Sequence, residues 1–189
     1  DASFKLSYNR MRQYIHMLSN TTTISPTDIW KLSDPNIRPQ VGDQYSIGFY
    51  KNFAARDVET SVEAYYKDIV DFLDYKSGAT LILNPNIETD VLSTEGKAYG
   101  LELMVKKQKG KVNGWLSYTY SQSRQLVSGE YEDEQINAGQ YYPTNFNKPH
   151  ILNLSATWKE SARVNFSANF TYSSGRPVTY PDDKYYVYG

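Results

Sequence analysis

Imidazole and thiol chemistry in this sequence is limited to two histidines, His16 and His150, because cysteine is absent. His150 lies in NKPHILN, five residues before Ser155, and such a pair suggests the base and nucleophile of a hydrolase. In an extended strand, however, this separation is about 17 Å and places the two side chains on opposite faces. His16 has no carboxylate or second histidine at metal-ligand spacing. The sequence therefore predicts no catalytic, metal-binding or cofactor-binding residue, and a protein that is not an enzyme.

The stretch EYEDE concentrates four carboxylates, Glu130, Glu132, Asp133 and Glu134. Calcium is bound by several carboxylate and carbonyl oxygens, so ion binding is one interpretation. The stretch lacks the spaced acidic pattern of a calcium loop, which favours a solvated acidic loop instead.

Aromatic and arginine side chains gather outside the regularly patterned segments. Aromatic rings stack on apolar ligand faces and arginine grips anions, so these side chains could contact a sugar or a chelate. The alternative is that they pack loop against loop. The candidate ligand-contacting residues are Tyr131, Tyr141, Tyr142, Phe146, Arg176 and Tyr180.

Composition excludes several classes of protein. The net charge of −1 over 189 residues gives no basic surface for nucleic acid, and no nucleic-acid partner is predicted. Mean hydropathy is −0.63, and no stretch approaches the ~18 consecutive apolar residues of a transmembrane helix. Tyrosine is unusually frequent, at 18 residues. Tyrosine favours strands and membrane–water interfaces, so a membrane barrel, whose signal is alternation, stays open.

Side chains alternate between apolar and polar along most of the chain, which indicates strands rather than helices. The sequence predicts an all-β fold, an antiparallel up-and-down meander of about seven long strands. The segment SPTDIWKLSD, in the first long loop, suggests a local turn or a short helix capped by Asp28. The predicted strands are 3–18, 44–53, 58–72, 98–107, 114–121, 150–158 and 163–175.

The connections alternate strictly between long and short, so the short turns lie at one end of the sheet and the long loops at the other. Loops of ~20 residues are uncommon in compact soluble domains, whereas outer-membrane barrels have short turns on one side and long loops on the other. Aromatic residues also sit near strand ends on the apolar faces, as interfacial girdles do. The predicted girdle residues are Tyr45, Tyr66, Tyr99, Tyr120, Trp158 and Tyr172.

Several segments, taken in order, resemble the β-barrel of TonB-dependent outer-membrane receptors, particularly the Bacteroidetes branch. The resemblance implies a 22-stranded transmembrane barrel with an N-terminal plug. It further implies active import of a ferric siderophore, cobalamin or glycan, driven by an inner-membrane TonB complex. The segments are YNRMRQYIHMLSN, SPTDIWKLSD, IRPQVGDQYSIGFYKNF, VEAYYKDIVDFLDYKSGA, EGKAYGLELMVKK, NGWLSYTYSQS, NKPHILNLS and SSGRPVTYP.

The sequence departs from the complete family pattern, since no plug, TonB-binding segment or final aromatic-ended strand is recognisable. We therefore expect residues 1–189 to be a single segment from the C-terminal half of the barrel, not transport-competent by itself. The expected partners are outer-membrane lipid, a small-molecule or glycan substrate, and the TonB complex through the missing N-terminal region. The expected location of the parent protein is the outer membrane of a Gram-negative bacterium. An isolated segment would have to hide its apolar face and its edges by curling, by dimerising or by self-associating edge to edge.

A soluble β-sheet module, of the carbohydrate-binding or adhesin type, is the alternative hypothesis. It shares the alternation, because the outer faces of a β-sandwich are solvated. The two hypotheses differ in what covers the apolar face. A soluble module would hold the following residues in a dry core: Leu101, Leu103, Leu116, Leu152, Leu154 and Phe166.

Overall fold

A computed structural model describes residues 1–18, 29–76, 84, 87–127 and 135–178. Ten strands and three short 3-10 turns make up the described regular structure, and no helix among these residues is long and apolar enough to cross a membrane. The strands are β1 Ala2–Gln13, β2 Ile15–Leu18, β3 Ile29–Leu32, β4 Gln40–Phe53, β5 Val58–Tyr75, β6 Val91–Lys107, β7 Val112–Leu126, β8 Tyr142–Pro143, β9 His150–Lys159 and β10 Asn165–Ser173.

Seven long strands form one antiparallel meander in the order β1-β4-β5-β6-β7-β9-β10, and the short strand β8 adds to β7. The predicted all-β, up-and-down meander is therefore confirmed. The sheet is more extensive than predicted. β5 and β6 continue until Tyr75 pairs with Val91, so the start of β6 occupies part of a predicted long loop.

The predicted first strand is wrong beyond Gln13. β1 pairs with β4 as far as Gln13 and Gln40, where β4 begins, so the chain beyond that point has no long neighbour. It instead forms a separate hairpin in which Ile15–Leu18 pairs with Ile29–Leu32. The latter segment is a strand, which corrects the predicted short helix; Asp28 itself lies outside the described residues.

Three short hairpin connections join β4 to β5, β6 to β7 and β9 to β10. They share one end of the sheet, here called the turn end. The opposite end is the loop end. Asp57 closes the first turn in the left-handed conformation, with φ of 48°, and Gly110 has φ of 103° in the second.

The sheet has one apolar and one polar face, set by the register of its strands. On the apolar face Tyr8, Tyr45, Tyr66 and Tyr99 form one continuous row across four strands. The next rows towards the turn end are aliphatic and aromatic, such as Leu6, Ile47, Ala64 and Leu101. Large side chains on this face are exposed, and Leu6 reaches 69%.

The dry core required by a soluble module is not found among the described residues. Leu101, Leu103, Leu116, Leu154 and Phe166 are between 37% and 56% exposed. The buried apolar side chains Ile37, Ile87 and Val127 lie at the loop end instead. The sheet is thus a single layer whose packed region is confined to the loop end.

At the loop end, a β-bulge in β5 moves two side chains to the opposite face of the sheet. The register with β6 shifts between Ile69 and Phe72, and Asp71 adopts a positive φ of 55°. Because side chains alternate with period two, one extra residue moves those that follow to the other face. Phe72 and Asp74 consequently lie on the polar face, opposite Thr94 and Leu92.

Candidate ligand-contact site at the loop end

A hydrogen-bonded cluster of Asp74, Gln125 and Tyr142 closes the polar face at the loop end. The Tyr142 hydroxyl donates to Asp74 Oδ2 at 2.7 Å. The Gln125 side-chain amide donates to the Tyr142 oxygen at 2.6 Å and also to Asp74 Oδ2. Each residue comes from a different strand: the bulge brings Asp74, β7 supplies Gln125, and β8 pairs Tyr142 directly with Gln125. This cluster ties the third long loop to the strands below it.

Burial and the Asp74 carboxylate favour the neutral hydroxyl of Tyr142. Burial is the larger cause of the raised pKa of Tyr142, and the hydrogen bond to Asp74 raises it further, while the Gln125 bond acts in the opposite direction. The phenol is therefore a hydrogen-bond donor at neutral pH, and its ring is held in one orientation.

Phe146 is the most exposed aromatic residue of this site. Its ring meets Phe72 edge-on, with centroids 6.5 Å apart, yet it remains 57% exposed. Asn147 fixes the loop beneath it by accepting the Ser123 amide at 2.8 Å. The nearby Thr144 hydroxyl is buried and, within the described residues, has no hydrogen-bond partner. The site therefore offers a ligand the exposed ring of Phe146, which lies above hydrogen-bonded polar residues.

The structure separates the residues that the sequence grouped together. Tyr142 and Phe146 meet at the site, but Tyr141 turns to the apolar side, where its hydroxyl bonds Glu95 at 3.2 Å and Lys97 Nζ lies 4.6 Å from its ring centroid. Arg176 is exposed beyond β10. Tyr131, Tyr180 and the acidic stretch 130–134 lie outside the described residues.

Three members of the site were not predicted, namely Phe72, Asp74 and Gln125. Each lies in or beside an alternating strand, and sequence alternation across the bulge assigns Phe72 and Asp74 to the wrong face. The available signal was Asp71, since Asp tolerates the left-handed conformation that a bulge requires.

The family comparison covers nearly the whole chain. Residues 3–188 match the model of the TonB dependent receptor-like, beta-barrel family. The chain belongs to this family. A search of curated proteins finds no match. Membership supports an outer-membrane transporter barrel of a Gram-negative bacterium, and receptors of this family are transporters rather than enzymes.

Membership of this family indicates which face of the sheet meets lipid and which lines the lumen. In an outer-membrane barrel the apolar face meets lipid and the polar face lines the lumen, with short turns at the periplasm and long loops outside. Along β4 the stretch from Tyr45 to Phe53 runs about 27 Å, or about 20 Å of height once strand tilt is included. This height is comparable with the ~25 Å apolar band of such barrels.

The receptor's extracellular lipid boundary is marked by the tyrosine row and by a charged row immediately beyond it. Arg10, Asp43, Asp68, Lys97 and Arg124 follow the tyrosines in register on the same face. Tyr120 and Tyr172 continue the girdle on later strands, each in a row nearer the turns. This descent is the geometry that tilted strands require if the girdle is to stay level.

The receptor's two histidines have structural contacts. His150 Nδ1 is 2.9 Å from the Tyr118 hydroxyl on the lipid-facing side, whereas Ser155 is paired with Trp115 on the lumen side. His16 is buried, its Nε2 lies 3.0 Å from Ser33 Oγ, and burial lowers its pKa. In the part of the chain that the structure describes, no three metal-ligating side chains cluster.

Beside His16, a partly buried ion pair joins the β2–β3 hairpin to the second long loop. Lys31 Nζ lies 2.6 Å from Glu88 Oε2 and 3.5 Å from Asp34 Oδ2. The hydrogen bond from Lys31 lowers the pKa of the Glu88 carboxyl, and backbone amides of Ile37 and Asn36 lower that of Asp34. The first two loops are therefore mutually braced at the extracellular end.

Replacing Tyr142 with phenylalanine should loosen the third loop, because Asp74 loses its phenol donor in a half-buried site. We expect a local cost of about 1–3 kcal/mol. Hydrogen exchange at the Thr144 amide, which bonds the Ser123 carbonyl at 3.1 Å, would report the opening. Tyr141→Phe, which removes one exposed hydrogen bond next door, should change exchange by no more than about 0.5 kcal/mol.

The raised pKa of Tyr142 also predicts that the stability of the third loop depends on pH. Because the pKa of Tyr142 is raised in the folded loop, its contribution is complete below the ordinary value of about 10 and is lost as pH rises above it. Thr144 exchange corrected for intrinsic pH dependence should accelerate above about pH 10, and Tyr142→Phe should remove that component. An unchanged alkaline profile would contradict this role.

Proposed function

We propose that this chain is a stretch of the wall of a TonB-dependent outer-membrane transporter, and that residues 1–189 form one segment of its barrel. The substrate is a scarce nutrient such as a ferric siderophore, cobalamin or a glycan. The observation that carries the proposal is the exposed apolar face, bounded outside by a tyrosine row and a charged row. An apolar band followed by interfacial tyrosines and then by charged residues is the sequence of surfaces expected across a lipid bilayer.

The segment needs further strands to function. Within the described sheet, β1 and β10 each pair on one side only. Unpaired N–H and C=O groups cost several kcal/mol each in hydrocarbon, so a membrane sheet must close. We infer that other strands of a 22-stranded barrel complete it, and that a plug and a TonB-contacting segment are supplied by chain outside this sequence. Isolated, the segment would hide its edges by self-association.

The loop-end site is the proposed point of first contact with substrate. Phe146 supplies an exposed stacking surface, while Tyr142, held by Asp74 and Gln125, fixes the loop that carries it. Tyr131, Arg176 and Tyr180 stay predicted contacts on neighbouring segments. Tyr141 instead faces the lipid side of the sheet, where its exposed hydroxyl bonds Glu95.

Cell fractionation and energised uptake test this function. The complete receptor, expressed in a Gram-negative host, should be recovered in the outer-membrane fraction, and uptake of its nutrient should stop when TonB is deleted although surface binding persists. Recovery in the cytosol, or as a secreted species that is monodisperse without detergent, would support the soluble-module alternative and contradict the proposal.

A further inference from the structure

Two cations lie side by side on the lipid-facing side of the sheet, just beyond the tyrosine row. Lys97 on β6 and Arg124 on β7 are directly opposite one another in the register. Side chains in such a pair start about 4.5–5.5 Å apart, and like charges there destabilise the sheet. Both lie one row outside the girdle residue Tyr99. The fold therefore places two neighbouring positive charges at the outer boundary of the lipid.

The nearest carboxylates lie outside this pair of cations. Asp68 is on the far side of Lys97 in the register. Glu95 is one row farther from the membrane, where it accepts the Tyr141 hydroxyl at 3.2 Å. Arg124 is exposed, and within the described part of the chain its side chain has no hydrogen bond or ion pair. The position between the two cations is therefore open to an anion from outside the protein.

Tyr141 orients the lysine of this pair without neutralising it. Lys97 Nζ lies 4.6 Å from the Tyr141 ring centroid, and a cation over an aromatic face is attracted to the ring but keeps its full charge. Tyr141 immediately precedes β8, which pairs with β7 at Arg124. The third long loop thus places the ring beside both cations. The ammonium group is held in position before any ligand arrives, which lowers the entropic cost of binding.

The surface on the membrane side of the two cations is first neutral and then apolar. Tyr99 and Gln122 face each other in the next row, and both side chains can donate hydrogen bonds. A ligand with an anionic head and apolar tails would match both levels, whereas a free anion would leave the apolar rows uncovered. The rows that follow towards the turn end pair Leu101 with Tyr120, Leu103 with Tyr118 and Val105 with Leu116.

We propose that Lys97 and Arg124 bind the phosphate of a phosphorylated lipid headgroup in the outer leaflet, such as that of lipid A, whose acyl chains lie along β6 and β7. The inference rests on the transport function proposed above, since it requires this face to meet the membrane. Arginine presents a planar fork of donors that matches phosphate oxygens, and lysine adds a second positive charge. A phosphate between the two side chains also removes their mutual repulsion.

Native mass spectrometry of the complete receptor in detergent, titrated with monophosphorylated lipid A, tests the site. Binding is expected to weaken about tenfold in Arg124→Gln, through loss of a charge-assisted hydrogen bond, and further when Lys97→Gln is added. Arg124→Lys should recover part of the affinity, because it restores the charge without the fork.

Arg10→Gln is the matched control for Arg124→Gln. Arg10 lies in the same row, but its Nε is 3.6 Å from Asp43 Oδ1, and it is four strand spacings from Arg124, or about 19 Å. The same change of charge there should leave the affinity within about twofold of wild type. An equal loss in both variants would indicate a general effect of surface charge and would overturn the site.

The choice of probe separates a lipid phosphate from other ligands. Lipid A whose phosphate has been removed should bind about tenfold more weakly, and inorganic phosphate in large excess should not displace the intact lipid, because it lacks the acyl chains. Displacement by inorganic phosphate would identify a site for free anions and overturn the assignment to lipid. Equal binding of the dephosphorylated lipid, equal affinity of wild type and Arg124→Gln, or no bound lipid A would overturn the proposal as well.

Failure of the lipid site can be distinguished from failure of the transport function. Arg124→Gln should reach the outer membrane and support TonB-dependent uptake like wild type, because Arg124 faces away from the lumen. A wild-type receptor that passes both checks but binds lipid A without regard to its phosphate refutes the site and leaves transport intact. A wild-type receptor that is absent from the outer membrane contradicts the transport function itself.

Discussion

Leu103→Arg should prevent the receptor from assembling in the outer membrane. Leu103 lies on β6 midway between the girdle residue Tyr99 and the turn end of the strand at Lys107. It shares a lipid-facing row with Phe49, Val62 and Tyr118. A charged side chain at that depth costs about 2–4 kcal/mol, because its charge must be removed from water.

The neighbouring residue provides a closely matched control. Met104 is as exposed as Leu103, at 37%, but points into the lumen. Met104→Arg should assemble with near-normal yield because its charge stays in water. Heat-modifiable mobility on gels and the amount of receptor in outer-membrane fractions would measure the difference. Equal assembly of the two variants would refute the assignment of faces.

Gly114→Val should disrupt the pairing of β7 with β9. The new side chain would meet the Ser155 carbonyl oxygen and the Ala156 Cα, which would lie 2.1 and 2.8 Å from its Cβ. A β-branched residue is also strained at a φ of 152°. Separation of β7 from β9 near the turn end of the sheet is expected to cost about 3 kcal/mol or more.

Gly175→Val serves as the control for this substitution. A Cβ at Gly175 has no heavy atom within 4 Å, so the same change should be tolerated there. Thermal unfolding followed by loss of β-sheet circular dichroism would compare the two. A Gly114→Val receptor with wild-type stability would show that β7 and β9 can separate without cost.

The strands themselves were predictable from the sequence because period-two alternation is a local property. The predicted strands from residue 44 to residue 175 all fall on observed ones. Their ends were less predictable, since pairing rather than alternation decides where a strand stops. β6 starts at Val91 because Tyr75 is available as its partner. The sequence of residues 91–97 by itself does not indicate this start.

The loop-end site was only partly predictable. Aromatic residues in a long polar loop indicated Tyr142 and Phe146, but not the neighbours that hold them. Tyr141 and Tyr142 are adjacent and chemically identical, yet β8 pairing sends them to opposite sides of the sheet. Asp74 reaches the lumen through one extra residue in β5, which moves it to the face opposite the one that strict alternation along the strand would give.

The sequence by itself determined the all-β class, the two-faced strands, the alternation of short turns and long loops, and the absence of cysteine chemistry. These follow from side-chain type and spacing along the chain. The tertiary structure decided which tyrosines form one row, where the first strand leaves the sheet, and which polar groups meet at the loop end. Those features depend on register between strands far apart in sequence, and a shift of one residue sends every side chain to the other face.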